Sequence, residues 1–134
     1  MKTELCIEDT AEMDNIKKKI LYIEDDQDIA NAVKIILGNV GFEVDLALTG
    51  YEGLRMVEQF QYDLIMLDIM LPDMSGWDIY GKIKTKVKAK YAFLSAIPVS
   101  SERMVQLRNE GVREYILKPF TKKDLIERIN NLFV

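Results

Sequence analysis

Two alternating patterns of apolar residues run through this chain. Short apolar runs occur at Ile20–Ile23, Val44–Ala47, Leu64–Leu67, Tyr91–Leu94 and Tyr115–Leu117. Each is too short for a helix and stops at a polar residue or a turn, as strands buried on both faces do. Between them, apolar residues recur at helical spacing: Ile29, Val33, Ile36, Leu37 and Val40, then Leu54, Val57 and Phe60, then Trp77, Tyr80 and Ile83, and finally Leu125, Ile129 and Leu132. A further helix is predicted from about Ser100 to a stop at Gly111. Gly41 is a stop signal for the first helix, and Thr49 to Glu52 has the form of a capping box for the second. Ser75 and Thr121 open the third and last. Asp45 interrupts the second run, which places that strand at a sheet edge. Five strands alternating with five helices predict an α/β fold, a doubly wound parallel sheet covered on both faces by right-handed crossovers.

The bulk numbers narrow the function classes. The chain has 134 residues, 49% hydrophobic and 30% charged, which fits one globular domain. Residues 1–16 are acidic and lack sustained periodicity, and are read as a flexible tail before a domain over residues 17–134. The 18 basic against 22 acidic residues argue against direct DNA binding, which needs a basic face. One cysteine, Cys6, excludes an internal disulfide. No apolar run is long enough to span a bilayer and no signal-peptide pattern opens the sequence, so no membrane contact and a cytoplasmic location are expected. The sequence has no histidine, which removes histidine bases and histidine metal ligands.

The candidate chemistry gathers at strand ends. Asp68 follows the central run Leu64–Leu67, and Pro72 and Ser75-Gly76 then turn the chain into a helix. α/β sheets place ligands at the carboxyl ends of their strands. If the first strand lies beside the third, Glu24 and Asp25 face Asp68. Three carboxylates packed together repel, and a hard divalent cation such as Mg²⁺ relieves that repulsion with oxygen ligands. The fourth strand brings Ser95 and the fifth Lys118, a point charge suited to a phosphoryl oxygen. A carboxylate nucleophile, an acidic cup, a cation and a hydroxyl are the parts of phosphoryl transfer, with Asp68 forming an acyl phosphate.

Four motifs carry a resemblance: Ile20-Leu21-Tyr22-Ile23-Glu24-Asp25-Asp26, Asp68-Ile69-Met70-Leu71-Pro72-Asp73-Met74-Ser75-Gly76, Leu94-Ser95-Ala96 and Tyr115-Ile116-Leu117-Lys118-Pro119-Phe120. Over about residues 18–133 the chain resembles the receiver domain of a two-component response regulator, of the stand-alone type. The resemblance implies a flavodoxin- or CheY-like (βα)5 fold with strand order 2-1-3-4-5. It implies that Asp68 takes phosphoryl from a histidine kinase or phosphotransfer protein, with Lys118 and Ser95 as catalytic partners. Mg²⁺ would be held by Asp68, by Asp25 directly, by Glu24 through water and by the backbone carbonyl of Met70. Ser95 would be the switch hydroxyl and Tyr115 the switch aromatic, and the Lys118–Pro119 bond would be cis. The face of the fourth helix, fifth strand and fifth helix would then control an unidentified downstream protein or form a homodimer. For the dimer, Arg108, Arg113, Glu114, Lys122 and Lys123 offer charges. The chain would catalyse only its own phosphorylation and dephosphorylation and would not be a turnover enzyme. Ser95 stands where the family commonly has threonine. Met70 and Ile97, at variable positions beside the site, are apolar here and would shield the phosphoryl group from water.

Other readings remain open at this stage. An aspartate-nucleophile phosphatase of the haloacid-dehalogenase type needs a second aspartate two positions after the first, where Met70 stands. A receiver-like interaction module that signals without phosphate, and a receiver piece of a larger regulator, are the remaining alternatives. Asp26 reads as a helix-start acid and Asp73 as a turn residue. The alternating Lys82, Lys84, Lys86, Lys88 and Lys90 read as a solvated helix end and loop.

Overall fold

The apolar runs become strands and the periodic stretches become helices in the computed structural model, which describes residues 17–134. The order is β1 (Lys19–Ile23), α1 (Gln27–Asn39), β2 (Glu43–Ala47), α2 (Gly50–Gln59), β3 (Leu64–Leu67), α3 (Gly76–Ile83), β4 (Lys90–Ser95), α4 (Ser101–Glu110), β5 (Val112–Leu117) and α5 (Lys122–Asn131). The stretch read as a tail lies outside the described residues. All strand pairings are parallel, in the order β2-β1-β3-β4-β5. This is the doubly wound (βα)5 sheet that the alternation and the resemblance imply, with Asp45 on an edge strand.

Successive strand residues point to opposite faces, and two cores result. Leu21, Ile23, Ile65, Leu67 and Phe93 pack with the apolar residues of α2, α3 and α4. Ile20, Tyr22, Leu64, Met66, Leu94 and Ile116 pack with α1 and α5. Burying each such side chain contributes roughly 1.5–3 kcal/mol, so β1 and β3 are held from both sides. The helix starts are capped by Asp26, Thr49, Ser75, Ser100 and Thr121, whose side chains accept backbone N–H groups. For Asp26 this is the helix-start role read from the sequence.

Three hydrogen bonds extend the ladder one step past the strand ends and thereby set the site, the first from the Glu24 N–H to the Ala47 carbonyl at 2.9 Å. The Asp68 N–H donates to the Ile23 carbonyl at 3.0 Å, and the Lys118 N–H to the Ser95 carbonyl at 2.9 Å. Their side chains inherit the register of the sheet.

The structure departs from the sequence expectations at element ends. β5 begins at Val112 rather than Tyr115. Gly111, at φ 111°, caps α4 in the left-handed region and turns the chain straight into this edge strand. A register shift sets Val112 opposite Tyr91 and Glu114 opposite Ala92, and the polar Arg113 and Glu114 at this bulge hid the strand's first half. Val40, Phe60 and Leu132 are helix caps rather than last helical residues.

Two glycines of α3 test this packing. A Cβ at Gly76 would stand 2.2 Å from the backbone oxygen of Asp68, and backbone cannot yield as a side chain does. Gly76→Ala is therefore expected to lower stability by about 2–3 kcal/mol. At Gly81 a Cβ meets nothing within 4 Å, and Gly81→Ala should raise stability by about 0.5–1 kcal/mol. Urea midpoints at unchanged m-value measure both; the opposite order would contradict this packing.

Candidate functional site

The carboxyl ends of β1, β3, β4 and β5 bring together Glu24, Asp25, Asp68, Ser95 and Lys118, the set expected from the sequence. Glu24 is 1% exposed and Asp68 7% exposed, and Asp25 faces solvent. The Lys118 ammonium bonds the Glu24 carboxylate and, at 3.2 Å, Oδ2 of Asp68. One carboxylate oxygen from each of Glu24, Asp25 and Asp68 lies within 4.8 Å of the others. These are hard oxygen donors without sulfur or imidazole, a set that suits Mg²⁺.

The electrostatics follow from crowding and burial. Burial pushes the Glu24 carboxyl up to about 7, its hydrogen bond with Lys118 opposes that, and the neighbouring Asp68 adds to the rise. Burial alone would lower the Lys118 ammonium, but its bonds to Glu24 and its contact with Asp68 outweigh that and raise it. Lys118 therefore stays charged, and its charge is what keeps two buried carboxylates side by side.

Tyr22, fully buried, donates its hydroxyl to Oε1 of Glu24 at 2.9 Å. Burial and the Glu24 charge push its phenol far above the ordinary value, so it remains a donor. Inside the apolar run Ile20–Ile23, Tyr22 looks like strand core. Its parity with Glu24 two residues on, which puts both on one face of the strand, was the signal that could have found it.

Ser95 and Tyr115 meet through one residue. The Ile97 N–H donates to Oγ of Ser95 at 3.1 Å, and the Ile97 carbonyl accepts the Tyr115 hydroxyl. Ser95 is 1% and Tyr115 5% exposed. The Tyr115 ring lies in an aromatic group with Phe93 and Trp77, at centroid distances of 6.2 and 6.5 Å. Arg103 of α4 stands 5.2 Å over the Trp77 ring. The Met70 N–H donates to Oδ1 of Asp68 at 3.3 Å, while its side chain is 67% exposed; that of Ile97 is 39% exposed. The Lys118–Pro119 bond is cis.

Asp73 does more than turn the chain. Its two carboxylate oxygens accept the N–H groups of Gly50 and Tyr51 at 2.9 and 2.8 Å. It therefore ties the loop after Asp68 to the start of α2, where a helix favours an anion.

Comparisons with known proteins bear on this geometry. The family model described as the response regulator receiver domain matches residues 20–130. The cell cycle response regulator CtrA of Brucella ovis is 36% identical over 113 residues, 84% of this chain and 48% of that protein. The chain thus spans about half the length of the curated relatives it matches. A CheY-like response regulator receiver domain protein from Methanospirillum hungatei has 36% identity and a TM-score of 0.77, covering 87% of this chain and 93% of its own. The response regulator TrrA of Thermotoga maritima, in complex with Mg²⁺-BeF, has 34% identity and a TM-score of 0.73, covering 86% and 98%.

The Asp73 bonds to Tyr51 and Gly50 hold its carboxyl below the ordinary range. A group depressed on folding contributes stability above its unfolded value and loses it as pH falls through the folded one. Asp73→Ala should cost about 1 kcal/mol at neutral pH, and the difference from the parent should vanish in acid. Urea unfolding across that range checks it, and a difference that persists or grows in acid would contradict the capping role.

Proposed function

The chain belongs to the response regulator receiver domain family, and from that premise we propose that Asp68 is the residue that accepts the phosphoryl group. The donor is a phosphohistidine on a histidine kinase or phosphotransfer protein. An Asp68 oxygen attacks phosphorus, the P–N bond to the donor breaks, and the imidazole leaves and takes up a proton. An acyl phosphate on Asp68 remains. On discharge, water attacks phosphorus, the P–O bond to Asp68 breaks, the Asp68 carboxylate is regenerated and inorganic phosphate leaves with the protons of the water. The observation that carries this reading is the Asp68 carboxylate, nearly buried at the end of the central strand, with the Lys118 ammonium 3.2 Å away.

Lys118 neutralises phosphoryl oxygens as it now neutralises Asp68. Glu24, Asp25, Asp68 and the Met70 backbone carbonyl would hold Mg²⁺. When bound, the ion supplies positive charge to the phosphoryl oxygens and relieves the repulsion among the three carboxylates. Tyr22 fixes the orientation of Glu24.

Phosphorylation adds negative charge at Asp68. The Ser95 hydroxyl turns to donate to it, and Ile97, bonded to both Ser95 and Tyr115, passes that movement to the aromatic ring. The face of α4, β5 and α5 then changes for a downstream protein or a second copy of the chain. Leu117 and Val105 are exposed there, and a small cavity of about 240 Å³ is lined by Val99, Met104, Arg108 and Tyr115. Of the charges read as a dimer face, Glu114 is already paired to Arg128 at 2.9 Å. Arg108, Arg113, Lys122 and Lys123 are exposed. No described helix is long and apolar enough to cross a membrane, and the proposed setting is the cytoplasm.

Incubation with acetyl phosphate, read by intact mass, tests the assignment. One phosphoryl group is expected with Mg²⁺ and none in Asp68→Asn; a gain that survives in Asp68→Asn would overturn it. Lys118→Ala should slow uptake by about a hundredfold, as loss of one charge-stabilising donor does. The exposed Met70 and Ile97 side chains are proposed to shield the acyl phosphate from water. Met70→Asn should then shorten its lifetime several-fold, and an unchanged decay would remove the shield.

A further inference from the structure

Five lysines, Lys82, Lys84, Lys86, Lys88 and Lys90, crowd the end of α3, the loop after it and the start of β4. The proposed phosphoryl chemistry uses none of them. They sit toward the amino-terminal ends of the strands, and Asp68 at the carboxyl ends. Lys84 pairs with Glu110 at 3.3 Å and Lys90 stands 5.5 Å over the Phe133 ring. Lys82, Lys86 and Lys88 are exposed and have no ion-pair partner among the described residues.

These three rim two adjoining grooves between α2 and the α3–β4 loop, of about 780 and 450 Å³, which share Val57, Glu58, Lys86 and Val87. The apolar floor lies in the smaller groove, from Leu54, Val57, Ile83 and Val87, and Phe60 in the larger groove is 49% exposed. Of the acids on the walls, Asp63 already accepts the Lys19 N–H at 2.7 Å, and Glu58 lies on α2.

The charge of the chain is divided unevenly. Five of the 22 acidic residues, Glu4, Glu8, Asp9, Glu12 and Asp14, and only one of the 18 basic residues, Lys2, precede Lys17. The remainder holds seventeen of each, so the whole net charge of −4 belongs to the first sixteen residues. Lys19, three residues further along the chain, lies beside the groove: the Asp63 N–H donates to the Lys19 carbonyl at 2.8 Å, and Asp63 lines the larger cavity. Sixteen residues reach at most about 50 Å, enough to cover both grooves.

We propose that this lysine-rimmed groove is a docking site for the chain's own acidic segment, residues 1–16. Its carboxylates meet Lys82, Lys86 and Lys88, and Leu5, Ile7 or Met13 meets the apolar floor. Exposed ion pairs are individually weak and salt-sensitive, but tethering raises the local concentration to roughly millimolar.

Cys6, the single cysteine, lets a nitroxide be attached within the segment of the full chain. The expected result is loss of amide NMR signals from Val57 to Phe60 and at Lys86 and Lys88, with Val33 and Leu125 on the opposite face unaffected. Lys82→Glu, Lys86→Glu and Lys88→Glu together, or high salt, should restore the signals. The triple variant should keep the parent's thermal midpoint and its phosphoryl uptake from acetyl phosphate. Unaffected groove signals, or losses that persist in the triple variant, would overturn the proposal. So would losses in unlabelled, isotope-enriched chain mixed with labelled chain, because the occupant would then be a second copy.

Discussion

The contact on which the site depends is one ammonium group between two buried carboxylates. Glu24 and Asp68 sit at the ends of adjacent strands because β1 and β3 pair in register, Ile23 against Leu67. Parallel pairing alone would leave like charges side by side in a poorly solvated place. Lys118 prevents that, carried by the end of β5 across β4 to reach both. The same arrangement is left with an excess of negative charge, since Asp25 adds a third carboxylate. Three carboxylates against one ammonium leave the cluster two positive charges short of balance, which favours a divalent cation.

Around that cluster, backbone contacts set the geometry. Gly76 lets α3 start against the Asp68 carbonyl, and its N–H donates to the Ile69 carbonyl at 2.8 Å. Asp73 holds the intervening loop to α2. On the other side, Ile97 links Ser95 to Tyr115, and Tyr115 shares its aromatic group with Trp77, beneath Arg103 of α4. Ser95 thus has a short, packed connection to the α4–β5–α5 face.

The site was legible in the sequence because each of its charged residues follows an apolar run, and strand ends converge in a parallel sheet. Asp68, Glu24 and Lys118 needed only the runs and the strand order. Tyr22 was not read because a tyrosine inside an apolar run looks like core; only its parity with Glu24 marks it. The capping by Asp73 was illegible because its partners, Gly50 and Tyr51, lie 23 and 22 residues away in sequence. The first half of β5 was missed because a bulge on an edge strand admits polar residues that periodicity counts as loop. The lysines at 82 to 90 read as a solvated loop, since sequence alone does not show a groove between α2 and the loop beside them.

The balance of charge at Lys118 is most directly measured by titrating Mg²⁺ into the parent and Lys118→Met at mildly alkaline pH, following Trp77 fluorescence. Methionine keeps the apolar stem and removes the charge. If Lys118 is the one cation offsetting Glu24 and Asp68, the variant binds Mg²⁺ more tightly than the parent. Equal or weaker binding in Lys118→Met would contradict that account.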